Sequence, residues 1–328
     1  MNDNNTMTFK TLYRKHEYDK KENHLWGFWH YTSVEGLKGI IREEDAKDKI
    51  IRFWFTRCDC LNDSSEGVYI IELFRRTCIK LLEEKVIDET FYNWVIDIEI
   101  PDEQFVHYPV PPRQDCNHYS MMDCVPCDAY ICSFSLKKDS LDMWRYYSKG
   151  NGGYAINLFY NIFEDHEDYC IDDYDENREF SCIHSLKVIY DNEEKKKIIE
   201  SIIIDTFVAS KNSEKPEKET KNFIRYILKI LQFKFKHECF SSEEEYRFVF
   251  YLPKEKPKEL ANKMPKVEYR SQNGMLMPYI TVTAKRYVME VMTSPYNSSE
   301  IILKTTQDYL TSCGIKSKVY PSELPVRF

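Results

Sequence analysis

Glycine is scarce in this chain, with 9 in 328 residues. No glycine-rich loop stands between a strand and a helix, so the phosphate cradles of P-loops and dinucleotide fingerprints are missing. Neither Gly-x-Ser-x-Gly nor His-Glu-x-x-His occurs, which removes the local signatures of a serine-hydrolase elbow and a zinc-protease helix. No apolar run approaches the ~20 residues of a membrane span. The stretch from Met1 to Asn5 does not open a signal peptide. The expectation is a cytoplasmic protein with no membrane partner. A net charge of -8 excludes a global basic field. Binding nucleic acid would then need a local basic surface, and residues 195–197 and 254–266 are the densest in lysine.

A regular cysteine framework is also missing. The eleven cysteines are odd in number and scattered, as expected of free thiols in a reducing compartment. One cluster, Cys116, His118, Cys124 and Cys127, has the donor types of a tetrahedral zinc site. It contains a single Cys-x-x-Cys, its other pair being Cys-x-His, so the reading is of incidental thiols with no metal expected.

What the chain does have is aromatic bulk, 24 Tyr and 19 Phe, enough for a large packed core and against general disorder. Residues 1–22 are polar and charged and read as a flexible segment. Residues 23–328 read as one domain with inserts near 101–127, 164–182 and 211–221. The last is charged and free of apolar residues, as in a linker. Strand and helix patterns mix without regular alternation, which predicts α+β, a split mixed β-sheet with flanking helices.

Two stretches carry the chemistry. In the first, Phe28 and Trp29 lead through His30-Tyr31-Thr32-Ser33 into Leu37, Ile40 and Ile41 at helical spacing. This is a strand, a capping residue and a helix, with His30 and Thr32 on one strand face at its end. The bland alternative is a satisfied core histidine and a cap. In the second, Ser241-Ser242-Glu243-Glu244-Glu245-Tyr246-Arg247, three carboxylates crowd the start of a strand. Glu245 and Arg247 share a face, with Glu243 in line if pairing begins that early. Between them, Asn62, Asp63 and Glu66 open a long amphipathic helix and read foremost as capping groups. Gly150, Gly152 and Gly153 imply a tight turn or close backbone approach.

Taken in order, these landmarks resemble the bacterial domain of unknown function family 2971. The matching pieces are His30-Tyr31-Thr32-Ser33 with Gly36-Leu37 and Gly39-Ile40, Leu61-Asn62-Asp63 with Glu66, and Cys132-Ser133-Phe134-Ser135. They continue with Met143-Trp144, Tyr147, Gly153, Glu243, Glu245-Tyr246-Arg247, Tyr269-Arg270, Pro278-Tyr279-Ile280 and Pro325. That family name supplies no activity. The His-x-Thr strand running into a Gly-Leu/Ile-Ile helix is similar, more loosely, to the start of ADP-ribosyltransferases of the His-Tyr-Glu type. This second resemblance implies an ADP-ribosyltransferase-like fold that takes NAD as substrate. In it, His30, Tyr31 and Thr32 sit at the cofactor, and Glu245, or else Glu243, is the catalytic carboxylate beside the nicotinamide ribose. Phe55, Trp144 and Tyr147 compete to stack on nicotinamide, and Arg247 holds the carboxylate or a phosphate. It further implies a glycosyltransferase of the toxin or phage-defence kind, with a protein or nucleic-acid acceptor and a possible cognate antitoxin. The competing expectations are a non-catalytic nucleotide-binding sensor and a metal-dependent nuclease or hydrolase built on Asn62, Asp63, Glu66 and Glu245.

Overall fold

The computed structural model describes residues 7–9, 11–12, 27–61, 66–100, 104–107, 124–148, 152–159, 162–163, 170–172, 179–181, 183–254, 264–272 and 274–325. In chain order the elements begin with β1 (Phe28–Thr32), α1 (Val34–Ile40), β2 (Ile50–Arg57), α2 (Glu66–Glu83) and α3 (Glu89–Val95). There follow β3 (Gln104–His107), β4 (Cys124–Ser135), α4 (Leu141–Tyr147), β5 (Tyr154–Leu158), β6 (Cys170–Asp172), β7 (Glu179–Ser181) and β8 (Ile183–Lys187). The remainder is α5 (Asn192–Ser210), α6 (Pro216–Lys234), β9 (Glu245–Pro253), β10 (Val267–Gln272), β11 (Met275–Lys285), β12 (Val288–Thr293), α7 (Glu300–Ser312) and β13 (Lys318–Pro321). Among the described residues no helix is long and apolar enough to cross a membrane.

Contacts divide the chain into two compact units. The first comprises Met1–Asn23, Asn62–Phe105 and Lys187–Ser241; the second comprises His24–Leu61, Val106–Leu186 and Ser242–Phe328. The chain leaves and re-enters each of them, a pattern that a linear reading of 23–328 as one domain does not register.

The first unit is helical. Asp88 caps α3 by accepting from the Phe91 amide at 2.8 Å, and Asp191 caps α5 by accepting from the Glu194 amide at 2.7 Å. Ile70, Phe74 and Leu81 of α2 meet Ile199, Ile202 and Ile203 of α5 and Phe223, Ile227 and Leu228 of α6 in one core. Burial of each such side chain contributes about 1.5–3 kcal/mol. Two expectations are corrected here. The charged run at 211–221 is not all linker, because α6 already begins at Pro216. Proline suits the first helical turn, where its missing N–H leaves no bond unmade, and Thr220 and Phe223 start the buried stripe. The segment 1–22 is not wholly flexible either, since Phe9 and Leu12, three apart, seat in this core.

The second unit is α+β around a mixed sheet. Its backbone is β4, along which β9 runs antiparallel from Cys127–Pro253 to Ser135–Glu245. The other edge of β4 is shared: β2 takes Tyr130 and Ile131, and β1 takes Ser135. Two strands occupying one edge in succession split the sheet into branches. One branch continues from β2 to β11 and β10, the other from β1 to β5, β12 and β13. The β12–β13 pairing is parallel, while β1–β4, β1–β5, β2–β4, β2–β11, β4–β9, β5–β12 and β10–β11 are antiparallel. Direct register puts Trp29, Ser133, Ser135, Glu245 and Arg247 on one face of the sheet. Phe28, Phe53, Phe134 and Phe248 pack together on the other.

Candidate active site

The turn that opens the site folds for local reasons. Ser33 ends β1 and caps α1 by accepting from the Gly36 amide at 3.2 Å. Gly36 is required there, because a Cβ would collide with the Thr32 hydroxyl. Gly153 is required for the same kind of reason: a Cβ would lie 2.5 Å from the Thr32 carbonyl and 2.6 Å from the Ser148 Cβ. These two glycines let the end of β1, α1 and the end of α4 approach closely.

Where β1 and β4 diverge, a cavity of about 40 Å³ is lined by Trp29, His30, Tyr31, Ser133, Phe134, Met143, Tyr147, Glu243 and Glu245. That is room for a bound water molecule. Five residues expected from sequence therefore meet in one place: His30, Tyr31, Tyr147, Glu243 and Glu245. Thr32, Phe55, Trp144 and Arg247 do not line the cavity. Phe55 is fully buried and packs edge-on against Phe163 at 5.5 Å. Trp144 is fully buried, edge-on to Tyr31 at 4.8 Å, with its indole N–H donated to Asp139 Oδ1 at 2.8 Å. Of the three competing aromatics only Tyr147 reaches the cavity.

Glu245 opens β9 and is buried, as is Arg247 two residues on. The guanidinium donates Nε–H to Oε1 and an Nη2–H to Oε2, both at 2.9 Å. Arg247 thus holds the carboxylate, in the bidentate geometry that guanidinium and carboxylate favour. Glu243 is buried as well, but it ends a 3-10 turn over Glu238–Glu243 and does not extend the strand. The reason lies in β4. Ser135 Oγ donates to the Glu243 carbonyl at 2.6 Å, and the Leu136 amide donates to the Glu244 carbonyl at 2.8 Å. Between these anchors Glu244 adopts φ 41 and turns an exposed side chain to Lys137 at 3.8 Å.

His30 donates from Nδ1 to the Ser133 carbonyl at 3.2 Å, since a carbonyl can only accept. Its ring stands edge-on to Phe53 at 5.4 Å and tilted on Phe134 at 5.1 Å. Burial pushes its pKa down to about 4. The imidazole is therefore neutral at pH 7, with Nε2 left as an acceptor. Tyr31 is positional: its hydroxyl donates to the Lys137 carbonyl and accepts from the Ser140 amide, each at 2.9 Å, which pins the start of α4. Burial raises the pKa of Tyr147, and the negative charges of Glu243 and Glu245 raise it further, so its phenol stays protonated.

Sequence reading missed Trp29, Ser133, Phe134 and Met143 as lining residues. The available signal was Ser133 and Ser135 ending a strand face whose earlier residues are Cys127, Ala129 and Ile131, where two hydroxyls on one face mark a polar edge. Of the zinc cluster, Cys116 and His118 lie outside the described residues, Cys124 opens β4 and Cys127 is buried in it. Asn62 and Asp63 lie outside them too. Among the described residues no group of three or more His, Cys, Asp or Glu side chains gathers as a metal site.

Residues 143–248 match the family described as protein of unknown function (DUF2971), which bears out the first resemblance across α4 to the opening of β9. The matched span includes Tyr147, Glu243, Glu245 and Arg247. No curated protein and no solved structure matches the chain.

Proposed function

We propose that this cavity is the nicotinamide-ribose end of an NAD-cleaving ADP-ribosyltransferase site. The observation that carries the reading is that His30 from β1, Tyr147 from α4 and the Glu243–Glu245 pair, distant along the chain, border one cavity, His30 from the side of the sheet opposite Glu245. Cleavage breaks the bond between nicotinamide and C1′ of its ribose. Nicotinamide leaves with the bonding electrons, and the ribose passes through an oxocarbenium-like state. A nucleophile of the acceptor, or water, then bonds to C1′ and loses a proton. Glu245, oriented by Arg247, presents negative charge to that cation. Neutral His30 accepts from a ribose hydroxyl through Nε2. Tyr147 offers an aromatic face to nicotinamide. At about 40 Å³ the cavity is too small for a pyridine ring, so binding swings out Tyr147, which at 37% is the most exposed of its aromatic walls.

The test is transfer. Purified protein is incubated with NAD⁺ carrying a label on the adenine side, with and without protein and nucleic-acid acceptors. Label fixed to macromolecule supports a transferase, and free ADP-ribose alone supports a hydrolase. Tight NAD⁺ binding with neither product supports a non-catalytic sensor.

A further inference from the structure

A second polar feature lies on the face of the sheet that carries Ser133 and Glu245, along the other branch. Thr56 of β2 pairs with Ile131 of β4, which puts both on the face that carries Ser133 two residues further along β4. Two residues of strand span about 7 Å. Tyr279 of β11 pairs with Thr56, and Arg270 of β10 pairs with Met277, so Thr56, Tyr279 and Arg270 share that face as well.

Arg270 is unusual in its partners. One Nη2–H is donated to Thr56 Oγ1 at 2.9 Å. Its guanidinium stands 5.2 Å from the Trp54 ring centre and 5.6 Å from that of Tyr279. Nε is buried without a hydrogen-bond partner among the described residues. No carboxylate among the described residues forms an ion pair with it. Glu268, two positions earlier on the same face, is instead engaged by the Tyr279 hydroxyl at 3.0 Å. Burial pulls the Arg270 pKa down from the usual arginine value, which records the cost of seating that charge without an anion. A guanidinium has five N–H donors and Thr56 accepts one. The group is oriented by two ring contacts and one hydrogen bond. Trp54 beside it is 41% exposed, so a ligand can reach this edge.

We infer that Arg270, positioned by Trp54, Tyr279 and Thr56, is a diphosphate-binding residue that takes the bridge of the dinucleotide whose nicotinamide end enters the cavity. The inference rests on the NAD reading of that cavity. The diphosphate is separated from nicotinamide by one ribose, and the two sites lie in sequence along one face. Planar guanidinium donors match phosphate oxygens in pairs.

The test is binding of inorganic pyrophosphate, followed by calorimetry in low salt, together with the KM for NAD⁺. The variants are Arg270→Gln, Arg270→Lys and Thr56→Val, each checked by circular dichroism. The expectation is that Arg270→Gln weakens pyrophosphate about ten- to a hundredfold, the scale of a charged hydrogen bond. Arg270→Lys recovers part of the loss. Thr56→Val, which leaves the charge in place, weakens binding less and answers the question should Arg270→Gln not fold. Glu244→Gln, whose side chain is exposed, leaves pyrophosphate binding within twofold. Absence of pyrophosphate binding by the unaltered protein, or equal binding by Arg270→Gln, overturns the inference and leaves Arg270 a cation stacked for stability. Nicotinamide release with an unchanged KM for NAD⁺ in Arg270→Gln likewise overturns it while the transferase reading stands. Arg270-dependent pyrophosphate binding without any nicotinamide release supports the anion site and removes the transferase reading.

Discussion

Replacing Glu245 by glutamine separates two effects that one side chain produces. The carboxylate and Arg247 are both buried and joined by two hydrogen bonds at 2.9 Å. Glutamine keeps one acceptor but turns an NH₂ toward the guanidinium, donor against donor, and removes the negative charge that two of the Arg247 N–H groups face. Breaking a buried pair from one side costs about 3–5 kcal/mol. The melting temperature should accordingly fall by several degrees. Independently, the ribose cation loses its facing negative charge. Removing one such stabiliser lowers turnover about a hundred- to a thousandfold, with the KM for NAD⁺ little changed because the charge is needed mainly in the transition state. The double variant Glu245→Gln, Arg247→Met removes the opposed donors and should recover part of the stability but none of the turnover. Thermal melting and chromatographic assay of nicotinamide, run well below every variant's melting temperature, read the two effects apart. If the double variant recovers turnover along with stability, Glu245 acts only through the fold. Glu244→Gln, whose side chain is exposed, should change neither quantity by more than a small factor.

Three further outcomes follow from the geometry. His30→Phe keeps the packing against Phe53 and Phe134 but removes the Nε2 acceptor. The KM for NAD⁺ should rise about tenfold, the scale of one hydrogen bond, and an unchanged KM would assign His30 to the core alone. Burial pushes the pKa of both His30 and His184 down to about 4 from an ordinary 6.5. The unfolded chain therefore binds protons that the folded chain refuses between those values, so stability falls as pH drops from 6.5 towards 4 and is unaffected by these groups above 6.5. Each group contributes up to about 3 kcal/mol to that fall, and denaturant midpoints measured across the window should flatten when both are replaced by glutamine. In the helical unit, Lys195 is fully buried and donates to the Lys236 carbonyl at 2.7 Å and to Asn192 at 3.3 Å. Lys195→Met removes both donated bonds and should lower stability by about 1–3 kcal/mol by chemical denaturation, without affecting nicotinamide release.

Local sequence carried the parts of this account that depend on neighbours in the chain. The β1–Ser33–α1 turn was legible because strand, cap and helix spacing each have a period or a residue type. The Glu245–Arg247 pair was legible because side chains two apart on a strand share a face. Glu243 was not, because Ser135 holds its carbonyl and Leu136 holds that of Glu244, both more than a hundred residues earlier. The choice among Phe55, Trp144 and Tyr147 was likewise beyond local pattern. All three are aromatic at plausible spacing, and the register of β2 with the packing of α4 against Tyr31 and Asp139 decides which reaches the cavity. The start of α6 at Pro216 was concealed by charge, since a solvated first turn looks like a linker until the buried face begins.

The central claim is that this cavity breaks the nicotinamide–ribose bond, and the most direct measurement is nicotinamide release from NAD⁺ by the purified full chain. The account predicts release above the uncatalysed rate, lost in Glu245→Gln and insensitive to chelator. No release by folded protein that binds NAD⁺, with or without protein and nucleic-acid acceptors, would contradict it.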